Sequence, residues 1–240
     1  MNIVIIRHAD PDYSIDSLTP QGRIEAELLS RRISKMDIKN IYCSPLGRAR
    51  ATAEPTLQKM GREAEILDWL REFPAKIVED SGKPNVVWDR MPAVWTKYPE
   101  SYTKDGWYNT PVYEDTDVKE CYDVVSKGID ELLAKHGYEK HEGYYKAVRP
   151  NRDTIVLFCH FGVECVLLSR IWNISPMIPW HGMVCLPTGV TVLTTEEREE
   201  GIAYFRCSRF GDLSHLDKEG VPPSFSARFC ETYDSWDERH

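Results

Sequence analysis

Much of what organises other chains is missing from this one. No apolar run approaches the length of a membrane span, and the first residues lack the charged segment and apolar stretch of a signal peptide. The seven cysteines are odd in number and show no paired close spacing, so they read as free thiols and not as a disulfide framework. No internal repeat and no low-complexity tract is found, which sets aside solenoids and disordered tails. Lysine and arginine (30) are outnumbered by aspartate and glutamate (38), and a net charge of -8 argues against nucleic acid or an anionic membrane as partner. Together these absences predict a soluble cytoplasmic protein in which Cys43, Cys159, Cys185 and Cys207 act as small apolar residues.

What is present is a core-forming chain of 240 residues, 42% hydrophobic, long enough for one large domain spanning 1–240. Four consecutive β-branched residues, Ile3-Val4-Ile5-Ile6, read as a short buried strand that stops at Arg7-His8. Ligand sites collect at the carboxyl ends of strands in α/β sheets. An arginine beside an imidazole at that place points to an anion site holding a possible nucleophile. Asp10 to Ser17 reads as a loop. Thr19-Pro20 then supplies a capping hydroxyl and a helix-starting proline, and Ile24, Leu28, Leu29, Ile33 and Met36 give the helix its apolar face.

Further on, 38–43 reads as a strand and Ser44-Pro45 as a second cap-plus-proline start, for a helix that Pro55 kinks or breaks. Residues 64–67 read as another strand. Periodicity fades across 73–116, which is rich in tryptophan and tyrosine and is predicted to be an ordered insertion over the sheet's carboxyl rim, either a lid or a satellite cluster. A helix is expected over 117–136 and a polar surface excursion over 137–152. Residues 154–159 form the second clear buried strand, ending at His160 and followed by a helix, and 189–194 with 202–207 read as a strand pair. Phe210 to Leu216 reads as a turn pinning the tail. The predicted fold is an α/β three-layer sandwich with a mostly parallel central sheet flanked by helices.

Two strands thus end in a histidine, and Arg48 lies on the first turn of a helix after a third strand. If these strands are neighbours, Arg7, His8, Arg48, His160 and a helix N-terminus surround one anion, the setting that phosphoryl transfer needs.

At these residues the chain resembles the histidine phosphatase superfamily, the phosphoglycerate-mutase-like proteins. Arg7-His8-Ala9 resembles the family's Arg-His-Gly signature, and Ser44-Pro45-Leu46-Gly47-Arg48-Ala49 through Ala53 its Ser-Pro-Leu-x-Arg-Ala segment. Leu18-Thr19-Pro20-Gln21-Gly22, Leu70-Arg71-Glu72, His160-Phe161-Gly162 and Thr188 to Leu193 are similar to its remaining elements and follow in family order. The resemblance implies a metal-independent phosphomonoester hydrolase without cofactor, acting on a small phosphorylated substrate. His8 would become phosphohistidine, Arg7, Arg48 and His160 would hold the phosphoryl oxygens, and Glu72 would serve as general acid and then base. Phe161, Ser14 and His181 are candidates for contacts with the substrate. His136, His141 and His240 sit in polar surroundings and suggest no chemistry.

The chain also departs from the pattern. Ala9 stands where the family has glycine, Ser14 where it often has asparagine, and Phe73-Pro74-Ala75-Lys76 lacks the Arg-His-Tyr-Gly of the glycolytic mutases. The last point favours a hydrolase over a phosphoglycerate-type mutase. Two other readings are a metal-dependent haloacid-dehalogenase-like phosphatase using Asp10, Asp12, Asp212 and Asp217, and a non-catalytic phosphate-binding homologue suggested by Ala9 and Ser14.

Overall fold

The structure, a computed structural model, describes residues 1–78, 83–226, 232, 234 and 235. His240 lies outside them. Strand β1 (Asn2–Arg7) leads to a small hairpin, β2 (Pro11–Asp12) and β3 (Ser17–Leu18), inside the segment expected to be a bare loop. Helix α1 (Pro20–Ile33) starts as its sequence predicts, with the Gly22 amide donating to Thr19 Oγ1 at 3.0 Å. Strand β4 (Asn40–Cys43), helix α2 (Gly47–Met60) and strand β5 (Glu65–Ile66) follow, and α2 continues through Pro55.

The 73–116 stretch holds a hairpin, β6 (Lys76–Val78) with β7 (Pro84–Val86), a one-turn helix α3 (Pro92–Trp95) and three short 3₁₀ turns. Then come α4 (Val118–Lys135), β8 (Tyr138–His141), β9 (Tyr144–Ala147), β10 (Thr154–Cys159), α5 (Phe161–Trp172) and α6 (Met177–Gly182). A long hairpin of β11 (Val190–Glu199) and β12 (Ile202–Asp212) and the short α7 (Ser214–Asp217) complete the fold. Among the described residues no helix is long and apolar enough to cross a membrane.

Eight strands form one sheet in the order β5-β4-β10-β1-β11-β12-β9-β8. The sheet is mixed, which corrects the expectation of a mostly parallel one. β5, β4, β10 and β1 run parallel, whereas β11, β12, β9 and β8 each meet their neighbour antiparallel. The cause is connectivity: a hairpin can only return antiparallel, and both β8–β9 and β11–β12 are hairpins. The first of these occupies the supposed surface excursion. Its charged residues hid Tyr138, Tyr145 and Ala147, which turn inward and are buried.

The parallel half is buried on both faces. Ile3 and Ile5 of β1 and Ile155 and Leu157 of β10 face one core with α4 and α5, whereas Val4, Ile6, Val156 and Phe158 face the other with α1 and α2. Each such side chain contributes roughly 1.5–3 kcal/mol by leaving water. The strand ends that carry the site are therefore clamped from both sides. The insertion joins the first of these cores and does not form a cluster of its own. Trp107 is fully buried there and meets Tyr113, Tyr122 and Trp180 edge-on, with ring centroids 5.3–5.5 Å apart.

Candidate active site

Three adjacent parallel strands, β4, β10 and β1, end in Ser44, His160 and His8. Register aligns Arg7 with Cys159 and Cys43 with Phe158. The backbone continues the pairing one residue beyond each strand, with His8 N donating to Cys159 O (3.0 Å) and Ser44 N to Phe158 O (2.9 Å). These main-chain bonds bring the two histidines side by side, with the imidazole ring centroids 5.1 Å apart.

Each imidazole is oriented by one hydrogen bond. His8 Nδ1 lies 2.8 Å from Ala9 O, and a carbonyl only accepts, so Nδ1 carries the proton and Nε2 keeps its lone pair. His160 Nε2 lies 2.7 Å from Ser44 Oγ, which itself accepts from the Leu46 amide at 3.2 Å. The serine hydroxyl thus occupies Nε2 and leaves Nδ1 as the ring nitrogen without a protein partner among the described residues. Burial, reinforced by the neighbouring arginines, holds both imidazoles well below the ordinary histidine range. At neutral pH both are uncharged, as a nitrogen nucleophile must be.

Arg7 is buried on β1, donates through Nη1 to Cys185 O, and lies over the Phe161 ring at 5.8 Å. Phe161 thus packs the guanidinium from below. Arg48 is held by Asp16, with Nη1 to Oδ1 at 2.7 Å, and its guanidinium lies 5.3 Å from the centre of the exposed Tyr13 ring. Asp16 also accepts the Gly47 amide through Oδ2 at 2.7 Å. That corrects the reading of α2: Ser44 does not cap it, and the anion-favouring N-terminus is occupied by the Asp16 carboxylate. Gly47 has to be glycine here, since a Cβ would meet Asp16 O at 2.0 Å. Among the described residues, Arg7 Nε, Arg48 Nε and His160 Nδ1 are buried and make no hydrogen bond to protein.

Glu72 follows a 3₁₀ turn and keeps a partly open face to the cleft, though protein packs around its carboxylate. The Phe73 and Val163 amides both donate to Oε1, at 2.8 and 3.1 Å, so any proton Glu72 holds sits on Oε2. Burial raises its pKa above the ordinary glutamate value, against the pull of those amides, Arg7 and Arg48. Behind the site lies Glu164 on α5. It is fully buried, Thr191 and Cys185 face it without an ordinary hydrogen bond, and desolvation pushes its pKa up to about 7.

Of the residues expected from sequence, Arg7, His8, Arg48, Glu72, His160 and Phe161 come together. Ser14 does not join them: it is exposed, and its hydroxyl donates to Asp12 Oδ1 at 2.5 Å. His181 turns away to the insertion, stacking on Trp95 at 4.9 Å, with Nδ1 on Met177 O and Nε2 accepting from the Arg90 amide. Ala9 needs no glycine, because its φ is not positive, and its amide donates to Thr52 Oγ1 at 2.9 Å. His136 is buried against the Tyr42 hydroxyl at 2.8 Å and serves the core. Asp10 accepts the hydroxyls of Thr19 and Ser224, and Asp212 pairs with Arg32 at 2.6 Å, so these two acidic residues of a dehalogenase-like site are engaged elsewhere. No cluster of three metal-ligating side chains occurs among the described residues. Asp16 and Glu164 carried no sequence signal, and Thr52 carried one only as a member of the segment that Ser44 opens. Ser44 carried its own, inside the Ser-Pro-Leu motif, where it reads as a helix cap.

Known proteins share this architecture. A Schizosaccharomyces pombe protein described as a probable phosphatase is 23% identical over 235 residues, covering 91% of this chain and 97% of its own. Phosphoserine phosphatase 1 of Hydrogenobacter thermophilus is 25% identical over 84% of this chain and 90% of its own. Among solved structures, a phosphoserine phosphatase from Entamoeba histolytica in complex with phosphoserine superposes with a TM-score of 0.60 at 19% identity, over 90% of this chain and 98% of that one. The sequence pattern of the histidine phosphatase superfamily (branch 1) matches residues 3–207. With that match spanning most of its length, the chain belongs to the histidine phosphatase superfamily, branch 1.

Proposed function

We propose that this phosphatase hydrolyses a small phosphomonoester through a phosphohistidine on His8, with Glu72 as general acid and base. The observation that carries the reading is the bond from His8 Nδ1 to Ala9 O, which leaves the Nε2 lone pair beside two arginines. Nε2 attacks phosphorus while Arg7, Arg48 and His160 Nδ1–H hold the peripheral oxygens and offset the charge that builds there. Glu72, protonated on Oε2, donates to the leaving oxygen and becomes carboxylate. The same carboxylate then takes a proton from water, which attacks phospho-His8 and releases inorganic phosphate. Every step has a side chain to perform it, so the scheme calls on no metal or cofactor.

The relatives named phosphoserine phosphatase support a small organic phosphate as substrate. In this reading the 73–116 insertion acts as a lid beside Glu72 and selects the leaving group, and the hydrolase is preferred to a mutase because Phe73-Pro74-Ala75-Lys76 stands where the glycolytic mutases carry Arg-His-Tyr-Gly.

The test compares an alkyl phosphate with p-nitrophenyl phosphate, whose leaving group needs little protonation. His8→Ala is expected to lose both activities with its fold intact. Glu72→Gln is expected to lower kcat/KM for the alkyl ester by about 10²–10⁴-fold, the usual size of a general-acid contribution, and for the aryl ester far less. Retained turnover in His8→Ala overturns the nucleophile, and equal slowing of both esters in Glu72→Gln overturns the acid.

A further inference from the structure

Beyond the Phe73 amide on Glu72, the insertion brings the ring of Trp88 to the site. Gly162 sits in the turn after His160, and a Cβ added there would lie 2.5 Å from Trp88 Cζ3 and 2.7 Å from Glu72 Oε1. The edge of the indole and the carboxylate therefore crowd the same point above the Gly162 backbone, and only a glycine leaves room for both. Trp88 is nearly buried and belongs to the main core, so the ring is fixed where it stands.

The other surroundings of Glu72 pull in two directions. Arg7 from β1 and Arg48 from α2 favour the carboxylate, as do the Phe73 and Val163 amides. Glu164 and the neutral thiols Cys159 and Cys165 lie close enough to interact with it, and the uncharged imidazoles His8 and His160 complete the site. With two cations and two amides on one side of the balance, a solvated Glu72 would be ionised at neutral pH and useless as an acid. Exclusion of water is what opposes them, and an apolar ring against a carboxyl group is an effective way to exclude it.

We propose that Trp88 is a positioning residue for the general acid: its indole shields Glu72 from water and keeps the proton on Oε2 available to the leaving group. This rests on Glu72 being the acid. It also gives the insertion a chemical task apart from any choice of substrate.

The experiment is the pH dependence of kcat/KM for an alkyl phosphate, with p-nitrophenyl phosphate run alongside. In the wild type the alkaline limb reports loss of the Glu72 proton. Trp88→Ala is expected to move that limb to lower pH by about one unit, a tenfold loss on the alkaline side. The aryl ester is expected to be nearly unaffected, and Trp88→Phe to fall between Trp88→Ala and wild type. Trp95→Ala disturbs the same insertion but stacks on His181, and is expected to leave the limb in place. The limb's position does not depend on how much of a preparation is folded, so Trp88→Phe decides the matter if Trp88→Ala folds poorly. An unmoved limb in the Trp88 variants, or an equal shift in Trp95→Ala, overturns the proposal. If Glu72→Gln retains the alkaline limb, the assignment of Glu72 itself fails, an outcome distinct from either of those.

Discussion

The strand-end cradle and the 73–116 insertion meet at Glu72 but are held by different forces. In the cradle, His8, His160 and Ser44 are placed by main-chain bonds between parallel strands, with apolar cores packed on both faces. In the insertion, short turns are held by rings: Trp107 against Tyr113, Tyr122 and Trp180, and Trp95 against His181. A hydrogen-bonded lattice fixes positions to fractions of an ångström whatever its side chains are, whereas a ring cluster tolerates exchange of similar shapes. The first suits groups that must meet a phosphoryl group of constant geometry. The second suits contacts with leaving groups that differ.

If that division is right, damage to the cradle should affect all substrates and damage to the insertion should be selective. Ser44→Ala makes the sharpest contrast. It removes the hydroxyl bonded to His160 Nε2, and a buried hydrogen bond of this kind is worth about 1–3 kcal/mol. We expect roughly ten- to hundredfold lower kcat/KM for alkyl and aryl esters alike, unlike the ester-dependent effect of the Trp88 variants. A loss confined to one ester class would break the comparison.

A smaller effect separates folding from chemistry behind the cradle. Glu164 has a folded-state pKa of about 7, above its ordinary value of 4.5, so the folded protein binds the extra proton between those values. Its contribution therefore makes stability fall as pH rises from about 4.5 through about 7. Glu164→Gln has no proton to lose and should raise Tm at pH 8 with little change at pH 4.5. The gain is at most about 3 kcal/mol, taking about 1.4 kcal/mol per pKa unit. The same change in Tm at both pH values would show that the buried charge is not the cause.

The contrast also explains what the sequence made legible. Arg7, His8 and His160 stand next to runs of apolar residues whose both-face burial marks the strands, and Thr19-Pro20 marks α1 through chemistry local to four residues. Those signals survive folding because the lattice needs nothing distant. The missed features depend on partners far along the chain. Asp16 takes the N-terminus of α2 across 31 positions, so Ser44 is released from capping and turns to His160. Trp88 was visible only as one aromatic among many, since nothing periodic tells which ring faces Glu72. Strands β8 and β9 were hidden for another reason, although β11 and β12 read as a pair: only Tyr138, Tyr145 and Ala147 are buried there, and the charged residues between them read as surface.

The most direct test of the central claim follows the phosphoryl group itself. In Glu72→Gln, p-nitrophenyl phosphate can still phosphorylate His8, but water is no longer activated to remove the group. Rapid mixing of this variant with radiolabelled p-nitrophenyl phosphate, quenched in alkali, is expected to show a burst of nitrophenolate approaching one per chain. The label should be recovered on the peptide carrying His8 and be absent in the His8→Ala, Glu72→Gln double variant. Steady turnover without burst or label in both wild type and Glu72→Gln would contradict the account.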